Sequence, residues 1–443
     1  MRADRPLTQH GIPGVRDRAE LVVAVDVGSA LVACAVAEVG PGEPLVLSAE
    51  SACSFGIRGG EIVDIKRAGE AIRIAIEAAA DRAEADVKTV VVGLSGDVKL
   101  STAKAAMELD RERRTVTPDD VARLRAHVSA DAGAGRRVVH RFDGPCGVGD
   151  LQGIEYPEGL CGDRLEMQAT FVSAAGDRLD NLLRAVRSAG VEIEAVALEP
   201  VSGSLGALSE DERALGAAVI DMGAGAFRGA LWEGGRLRQI HAIGREGTGI
   251  PTGSGRCLPP AAVGGMEGVV LAVARRFRIA PATAERLLRS HAALGDDELL
   301  ALPPAVDVAA VDGLGSVRVE TRELSRTIEE LMIPVARALR DGLSGFSAGH
   351  AVGMVLIGGG ARIKGMPAWF SRRFGNAPVR LGVPHWKASA QAQIPADLQG
   401  CCACSLSGLI AIGAEGRARL RPRAGASLLR KFAEGVRRFA ASL

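Results

Sequence analysis

The chain has 443 residues, more than one ordinary domain holds, so two or more lobes are expected. Apolar residues make up 47% and charged residues 24%, with a formal net charge of +1, which describes a soluble folded protein and excludes a disordered or nucleic-acid-coating chain. Aromatic residues reach only 3% with a single Tyr, which argues against binding of single-stranded nucleic acid by stacking. We therefore expect no nucleic-acid partner.

Strand and helix patterns alternate through the first 200 residues. The apolar run at 21–39 is long enough to suggest a membrane span, but Asp26 and the turn at Gly28 and Ser29 interrupt it. Two strands around a turn are therefore expected there. Further elements follow in chain order: a strand at 45–54, a helix at 62–84, strands at 88–96 and 165–174, a helix at 177–190 and a strand at 191–200.

A change of composition between residues 86 and 163 predicts an inserted subdomain. Thr117 and Pro118 begin a helix pattern within it, and a loop rich in Gly, Arg and Asp follows. In the second half, a strand is expected at 218–222 with a hairpin partner at 229–243. The similar strand-turn-strand patterns at 21–39 and 217–241 suggest an internal duplication.

Eight cysteines are scattered through the chain, and no apolar signal segment precedes them. Reduced thiols in a cytoplasmic protein are therefore expected. The cluster at 401–404 contains one C-x-x-C pair, but a structural zinc site needs four ligands and no second pair exists. We expect buried packing residues there and no metal site.

Three glycine turns each follow a strand, and we number them in chain order. The first turn is DVGSAL at 26–31, the second is DMGAGAFR at 221–228, and the third is GGGA at 358–361. Glycine lets backbone N–H groups approach a phosphate, and an Asp at a strand end can order metal-bound water. Each motif alone is weak, but their order resembles the actin-like ATPases, in which two duplicated lobes close over a nucleotide.

Longer segments resemble one branch of that superfamily, the FtsA family of bacterial cell-division proteins. They run collinearly between about residues 20 and 415, at 56–79, 90–101, 198–223, 276–287, 355–367 and 374–384. The resemblance implies an α/β actin-like fold of two lobes with duplicated mixed sheets, an FtsA-type inserted subdomain and a C-terminal amphipathic helix. The expected layout is an N-terminal tail at 1–19, a first-lobe core at 20–85 and 164–200, an inserted subdomain at 86–163, a second-lobe core at 201–245 and 341–415, a small second-lobe subdomain at 246–340, a linker at 416–426 and a membrane helix at 427–443.

The resemblance also implies ATP with Mg²⁺ between the three turns. The candidate cofactor-binding residues are Asp26, Gly28, Ser29, Asp221, Gly223, Gly225, Glu285, Gly358, Gly359 and Gly360. The family usually reads D-I-G-T-S-K in the first turn, D-I-G-G-G-T-T-D in the second, and A-E-x-I-K near the ribose. This chain has Leu31 and Leu288 in place of the two lysines, and Ala226, Phe227 and Arg228 in place of the hydroxyls and the last carboxylate. Weak ATP binding and negligible turnover are expected, and no catalytic residue is assigned.

Arg228 leaves two interpretations open. Its guanidinium restores a cation to the phosphate site, or it points to solvent from a hairpin.

The last 17 residues have the pattern of an amphipathic helix. Five apolar side chains fall within an arc of about 80°, with Leu429 at its edge: Leu428, Phe432, Val436, Phe439 and Leu443. Basic residues dominate the opposite side: Arg430, Lys431, Arg437 and Arg438. Such a helix lies in the plane of an anionic membrane surface, and the alternative is a helix docked on the protein's own core.

The resemblance places the partner site in the small subdomain, where FtsA receives the C-terminal tail of FtsZ. The corresponding stretch, 274–291, has five candidate partner-binding residues: Arg275, Arg276, Arg278, Arg286 and Arg289. We expect these guanidiniums to pair with tail carboxylates while Phe277, Ile279 and Leu287 form a shallow groove. A solvated basic helix face is the alternative.

The leading hypothesis is an adaptor that anchors the FtsZ ring to the cytoplasmic face of the inner membrane at the division site and associates with itself. One alternative is a small-molecule kinase or ATPase of the same superfold, which would need an intact phosphate site. The other is a cytoplasmic scaffold of the pilus-assembly type, whose relatives generally lack the terminal helix.

Overall fold

The computed structural model describes residues 20–40, 42–109, 114–129, 132–243, 264–346 and 351–420. The expected N-terminal tail and the membrane helix at 427–443 lie outside these residues. No helix in the described ranges is both long and apolar enough to cross a bilayer.

The first lobe begins with strands and one long helix, as the sequence predicts. Its elements are β1 (Glu20–Val27), β2 (Leu31–Val39), β3 (Leu45–Cys53), β4 (Ile57–Arg58), β5 (Glu61–Ile62), α1 (Ile65–Ala83) and β6 (Thr89–Leu94). The side chain of Asp64 caps α1 by accepting from Arg67 N–H. Small residues such as Ala68, Ala75 and Ala79 are buried, which lets α1 pack closely on the sheet.

The inserted subdomain is a four-stranded sheet with one helix. Its elements are β7 (Val98–Glu108), β8 (Arg114–Thr115), α2 (Pro118–His127), β9 (Arg136–Val148), β10 (Leu151–Ile154), β11 (Cys161–Gly162) and β12 (Arg164–Ala175). The sheet order is β10-β9-β12-β7. The expected boundaries 86–163 are therefore wrong at both ends, because β6 pairs with β1 in the first lobe while β12 pairs with β7 and β9.

The chain then completes the first lobe and enters the second. The elements are α3 (Gly176–Ser188), β13 (Glu192–Leu198), α4 (Glu199–Ala207), α5 (Glu210–Leu215), β14 (Ala217–Met222), β15 (Phe227–Glu233) and β16 (Arg236–Ile243). The small subdomain follows with α6 (Gly265–Phe277), α7 (Pro281–His291), α8 (Asp296–Leu300), β17 (Ala305–Ala309), β18 (Ser316–Glu320) and α9 (Thr321–Gly342). The last elements are β19 (Gly353–Ile357), α10 (Met366–Arg373), β20 (Val379–Leu381), β21 (Lys387–Ala388) and α11 (Cys404–Leu420).

The two lobes repeat one topology, which confirms the suggested duplication. In the first sheet β1, β2 and β3 are antiparallel neighbours, and β6 and β13 add in parallel on the other side of β1. In the second sheet β14, β15 and β16 correspond to the antiparallel strands, and β19 and β20 add in parallel beside β14. The ends of β1 and β14 therefore carry equivalent turns.

The C-terminal part of the described chain returns to the first lobe. β21 pairs with β3, and Leu406, Leu409 and Ile410 of α11 are buried in one cluster with Val22 of β1. The assignment of 341–415 to the second lobe is therefore wrong for β21 and α11, although Cys401 between them packs in the second-lobe core, and α11 continues to Leu420 within the predicted linker. Two members of the cysteine cluster, Cys401 and Cys404, are buried as expected.

His140 on β9 attaches the inserted subdomain to the first lobe. The backbone N–H of Leu198 donates to its Nε2 at 2.8 Å, so this nitrogen is unprotonated. Burial lowers the pKa of His140 to about 4. Next to it, Phe142 packs edge-on against Trp232 of the second lobe, with ring centroids 5.4 Å apart. The subdomain therefore contacts both lobes close to the start of α4.

Acidification is expected to weaken this attachment. The folded pKa of His140 lies below the unfolded value of about 6.5, so the unfolded state binds the extra proton as pH falls between these values. Between pH 7 and pH 5 this lowers the free energy of unfolding by about 2 kcal/mol. Denaturant unfolding at pH 7 and at pH 5 measures the free energy of unfolding of the wild type and of His140→Gln. The difference between the two proteins should be about 2 kcal/mol smaller at pH 5 than at pH 7. An advantage that is equal at both pH values would contradict the assignment.

Candidate nucleotide cleft

The first turn is held by its own lobe. The N–H of Gly28 donates to the carbonyl oxygen of Leu31 at 3.1 Å, and a Cβ at Gly28 would lie 2.8 Å from that oxygen, so glycine is required. Ser29 Oγ accepts from the N–H of Gly60 at 2.7 Å. This bond holds the hydroxyl oxygen in place and leaves its O–H free to donate.

The second turn packs directly against the first. A Cβ at Gly225 would collide with Ser29 Oγ and would lie 2.9 Å from the Cα of Gly59. Atoms of the first lobe therefore contact Gly225 on the side where its Cβ would point, and a cavity of about 240 Å³ also borders Gly225.

The first N–H groups of α6 are also in use. The N–H groups of Met266 and Glu267 donate to the carbonyl oxygens of Gly223 and Ala224, each at 3.0 Å. A helix N-terminus offers free N–H groups to an anion only when nothing else accepts from them. These two groups instead join α6 to the second turn.

The third turn needs its glycines for packing. Gly358 has a φ of +82°, and a Cβ on it would lie 2.6 Å from Asp221 Oδ1. A Cβ on Gly360 would lie 2.7 Å from the sulfur of Met266, whereas Gly359 faces open space. Close packing of the turn against β14 and α6 thus accounts for two of the three glycines.

Arg228 is buried beside Glu199 and Asp221, which decides whether its side chain points into the cleft or to solvent. It lies directly opposite Asp221 in the β14–β15 register and is 4% exposed. Its Nη1 is 2.6 Å from Glu199 Oε2 and 3.6 Å from Asp221 Oδ2. Ser95 Oγ donates to the same Glu199 oxygen at 2.6 Å. The interpretation that Arg228 points to solvent is wrong.

Negative charge is concentrated around this guanidinium. Burial and the nearby Glu199 raise the pKa of Asp26 to about 7, although Arg228 opposes the shift. Burial and Glu199 also raise the pKa of Asp221 well above its usual range. Both shifts favour the protonated carboxyl, as expected where several acids share one cation.

Two cavities adjoin the cleft. One of about 10 Å³, lined by Glu199, Asp221 and Arg228 among others, is the size of a single water. Arg228 Nε and Asp221 Oδ2 are buried there without a hydrogen bond to described residues. The other, about 240 Å³, is lined by Arg58, Gly59, Gly225, Gly264, Glu267, Gly268 and Leu271. None of the three carboxylates lines this larger cavity.

The residues present do not fit the Mg²⁺–ATP that the fold implies. The guanidinium of Arg228 stands beside the carboxylates that would order metal-bound water, and Leu31 offers no cation to a phosphate.

Several predicted positions lie away from the carboxylates. Glu285, on the exposed face of α7, accepts from Arg289 at 2.9 Å. Phe227 and Leu288 belong to the hydrophobic core of the second lobe, so neither replaces a side chain at the carboxylates. Alternation explains Phe227, since neighbours on a strand point to opposite faces and Arg228 takes the cleft side.

The five arginines of the candidate partner surface are all exposed, on α6, on α7 and in the turn between them. Arg276 pairs with Glu323, and Arg289 pairs with Glu285 and Asp397. The groove expected beside them is wrong, however. Its three apolar residues are buried in the core of the second lobe: Phe277, Ile279 and Leu287. Phe277 continues the buried series Val269 and Val273 of α6, so helical spacing itself indicates a core position for it.

Three residues of the cleft were not predicted from the sequence. Glu199 begins α4 after β13, Ser95 follows β6, and Gly60 lies between β4 and β5. The order of the elements could have indicated Ser95 and Glu199. They follow β6 and β13, which run parallel to β1, so their carboxyl ends lie at the same edge of the sheet as the first turn.

Comparison with known proteins gives one consistent family. The family model described as "Cell division protein FtsA" matches residues 218–400, and the one described as "SHS2 domain inserted in FTSA" matches residues 96–173. The cell division protein FtsA of Escherichia coli strain K12 is 27% identical over 380 residues, which cover 82% of this chain and 84% of the relative. That of Streptococcus pneumoniae serotype 2 is 32% identical over 225 residues, covering 50% of this chain and 49% of the relative.

Solved structures show the same fold at lower identity. PilM in a PilM-PilN type IV pilus biogenesis complex superposes with a TM-score of 0.57 at 15% identity, covering 89% of this chain and 98% of that one. MreB5 of Spiroplasma citri bound to AMPPNP superposes with a TM-score of 0.53 at 13% identity, covering 92% and 99%. These similarities confirm the actin-like fold. Both lobes, the inserted subdomain and the curated relatives agree, and the chain belongs to the FtsA family of bacterial cell-division proteins.

Proposed function

We propose that this chain is an actin-like cell-division adaptor that anchors FtsZ filaments at the cytoplasmic face of the cell membrane and associates with itself. The observation that carries the proposal is the match to FtsA over both the inserted subdomain and the second lobe. The match of the inserted subdomain to the FtsA model, together with curated relatives that cover 82% of the chain, favours the adaptor over a kinase of the same fold.

Two separate segments supply lipid binding and FtsZ binding in this proposal. The basic amphipathic segment at 427–443 supplies attachment to anionic lipid, because its apolar arc can enter the interface while its arginines face the headgroups. The exposed arginines on α6, on α7 and between them supply an electrostatic surface for an acidic FtsZ tail.

Vesicle flotation tests the adaptor function directly. FtsZ filaments mixed with anionic vesicles should float only when this chain is present, and should stay in the bottom fraction when residues 427–443 are deleted. The matched control replaces the vesicles by ones made of zwitterionic lipid, which should recruit less of both proteins. Flotation of FtsZ that is equal with and without the chain would contradict the proposal.

Charge reversal should identify the partner surface. Arg286→Glu together with Arg289→Glu is expected to weaken capture of an FtsZ tail peptide by about tenfold or more, because a hydrogen bond to a charged group contributes about 1.5–3 kcal/mol. Fluorescence anisotropy at low and moderate salt measures this affinity. Arg289 is already paired with Glu285 and Asp397, so Arg286→Glu alone is the cleaner variant.

A control with the same charge change separates local from global effects. Arg184→Glu with Arg187→Glu reverses two exposed arginines at the same spacing on α3 of the first lobe. This control should bind the peptide normally, and all variants should keep lipid binding. Equal affinity of the Arg286 variants and the wild type would place the partner site elsewhere.

A further inference from the structure

One buried guanidinium spans the two lobes of this protein. Arg228 belongs to β15 of the second lobe, and its Nη1 is 2.6 Å from Glu199 Oε2. Glu199 follows directly after β13 of the first-lobe sheet, and Ser95 of the first lobe donates to the same carboxylate oxygen at 2.6 Å. The ion pair therefore joins a strand of one lobe to the strand ends of the other.

The position of this cation is fixed from several sides. The β14–β15 register sets Arg228 opposite Asp221, and Gly60 leaves room for its guanidinium, since a Cβ there would lie 3.3 Å from Nη2. The side chains of Arg228 and Glu199 are 5% and 12% exposed. A buried pair of this kind is strongly coupled, because loss of one partner leaves the other charge without compensation.

Backbone segments near Arg228 also bring the two lobes into contact. The second turn contacts the first lobe at Gly225, where a Cβ would collide with Ser29 Oγ and with Gly59, and a cavity of about 240 Å³ lined by Gly59 and Gly225 remains next to this contact. Elsewhere in this fold two lobes can be drawn together by a ligand that both contact. Here protein groups make the contacts on both sides, and the cation among the carboxylates is covalently part of the chain.

We propose that Arg228 is a built-in cation that holds the two lobes closed without nucleotide, so that the closed form of this adaptor is constitutive. The arginine that replaces the family's last carboxylate then joins the two lobes. The same replacement also removes a phosphate or metal contact. The inference concerns the cleft alone and does not depend on FtsZ or lipid binding.

Amide hydrogen exchange of the full chain tests the proposal. The informative segments are 26–31, 56–60 and 221–228, which meet at the lobe boundary. In the wild type, exchange in these segments should be slow and should change by less than about twofold when Mg²⁺–ATP or EDTA is added. Tenfold or greater slowing by Mg²⁺–ATP would show that closure depends on nucleotide and would overturn the proposal.

Two variants remove the ion pair from opposite ends. Arg228→Ala removes the cation, and Glu199→Gln removes the first-lobe partner while Asp221 still faces Arg228. Each should speed exchange about tenfold or more in all three segments, on both lobes. The control is Arg417→Ala, which breaks a half-buried pair with Glu194 inside the first lobe and should leave the three segments unchanged.

The proposal can still be tested if one of the two variants does not fold. If Arg228→Ala is unfolded, Glu199→Gln and the nucleotide response of the wild type decide the question. Exchange in the three segments that is as slow in Glu199→Gln as in the wild type would overturn the proposal. Equal acceleration by Arg417→Ala would overturn it too, because the effect would then reflect general loss of stability.

Discussion

Mg²⁺–ATP is expected to bind at least a hundredfold more weakly than to a family member with intact turns, and steady phosphate release should be absent. A hydrogen bond to a charged group contributes about 1.5–3 kcal/mol, so the loss of two such contacts is sufficient. Leu31 offers no cation, and the guanidinium of Arg228 lies beside Glu199 and Asp221.

Labelled-ATP binding and phosphate release by the protein lacking residues 427–443 measure this expectation. A gain-of-function control restores the family's residues where the structure allows, with Leu31→Lys, Ala226→Thr and Arg228→Asp in one chain. Phe227 is left in place because it is 1% exposed in the core of the second lobe. The restored chain should bind ATP more tightly than the wild type. Micromolar affinity of the wild type together with steady turnover would refute the expectation.

Phe432→Glu combined with Phe439→Glu is expected to release the protein from anionic vesicles, lowering lipid affinity by roughly a hundredfold or more. Burial of one Phe side chain stabilises by about 1.5–3 kcal/mol, and the variant places charges where two such side chains would enter the interface. Vesicle flotation of the full chain at fixed lipid concentration measures the loss.

The control adds the same charge on the other side of the helical pattern. Ser427→Glu with Ala441→Glu also changes the net charge by −2, but both positions lie opposite the apolar arc. This control should keep more lipid binding than the phenylalanine variant. If the phenylalanine variant floats as well as the wild type, the alternative of a helix docked on the protein itself is favoured.

Local sequence patterns were sufficient for much of the architecture. The interrupted apolar run at 21–39 predicted β1, its turn and β2, and the matching pattern at 217–241 predicted the equivalent hairpin of the second lobe. Helical spacing predicted α1, and the position of Asp64 explains where it begins. These features depend on residues close together in the chain, whose hydrogen bonds and side-chain periodicity are local.

Pairing between distant segments could not be predicted in this way. β12 has a strand pattern, but its partners β7 and β9 assign it to the inserted subdomain. Likewise α11 follows second-lobe elements in the chain and yet packs on the first sheet. A strand pattern shows that a segment has a buried face and does not identify its partner, because the backbone groups that pair strands are the same in every residue.

The same distinction holds at the cleft. That the glycines of the three turns are kept, and that arginine replaces a carboxylate at 228, can be read directly from the residues. The burial of Arg228 against Glu199 and the contact of Ser29 with Gly225 could be known only from the folded chain, because these contacts join residues of opposite lobes. Phe277 and Leu287 lie on the periodic apolar faces of α6 and α7, whereas the core that covers them is assembled from elements distant in the chain.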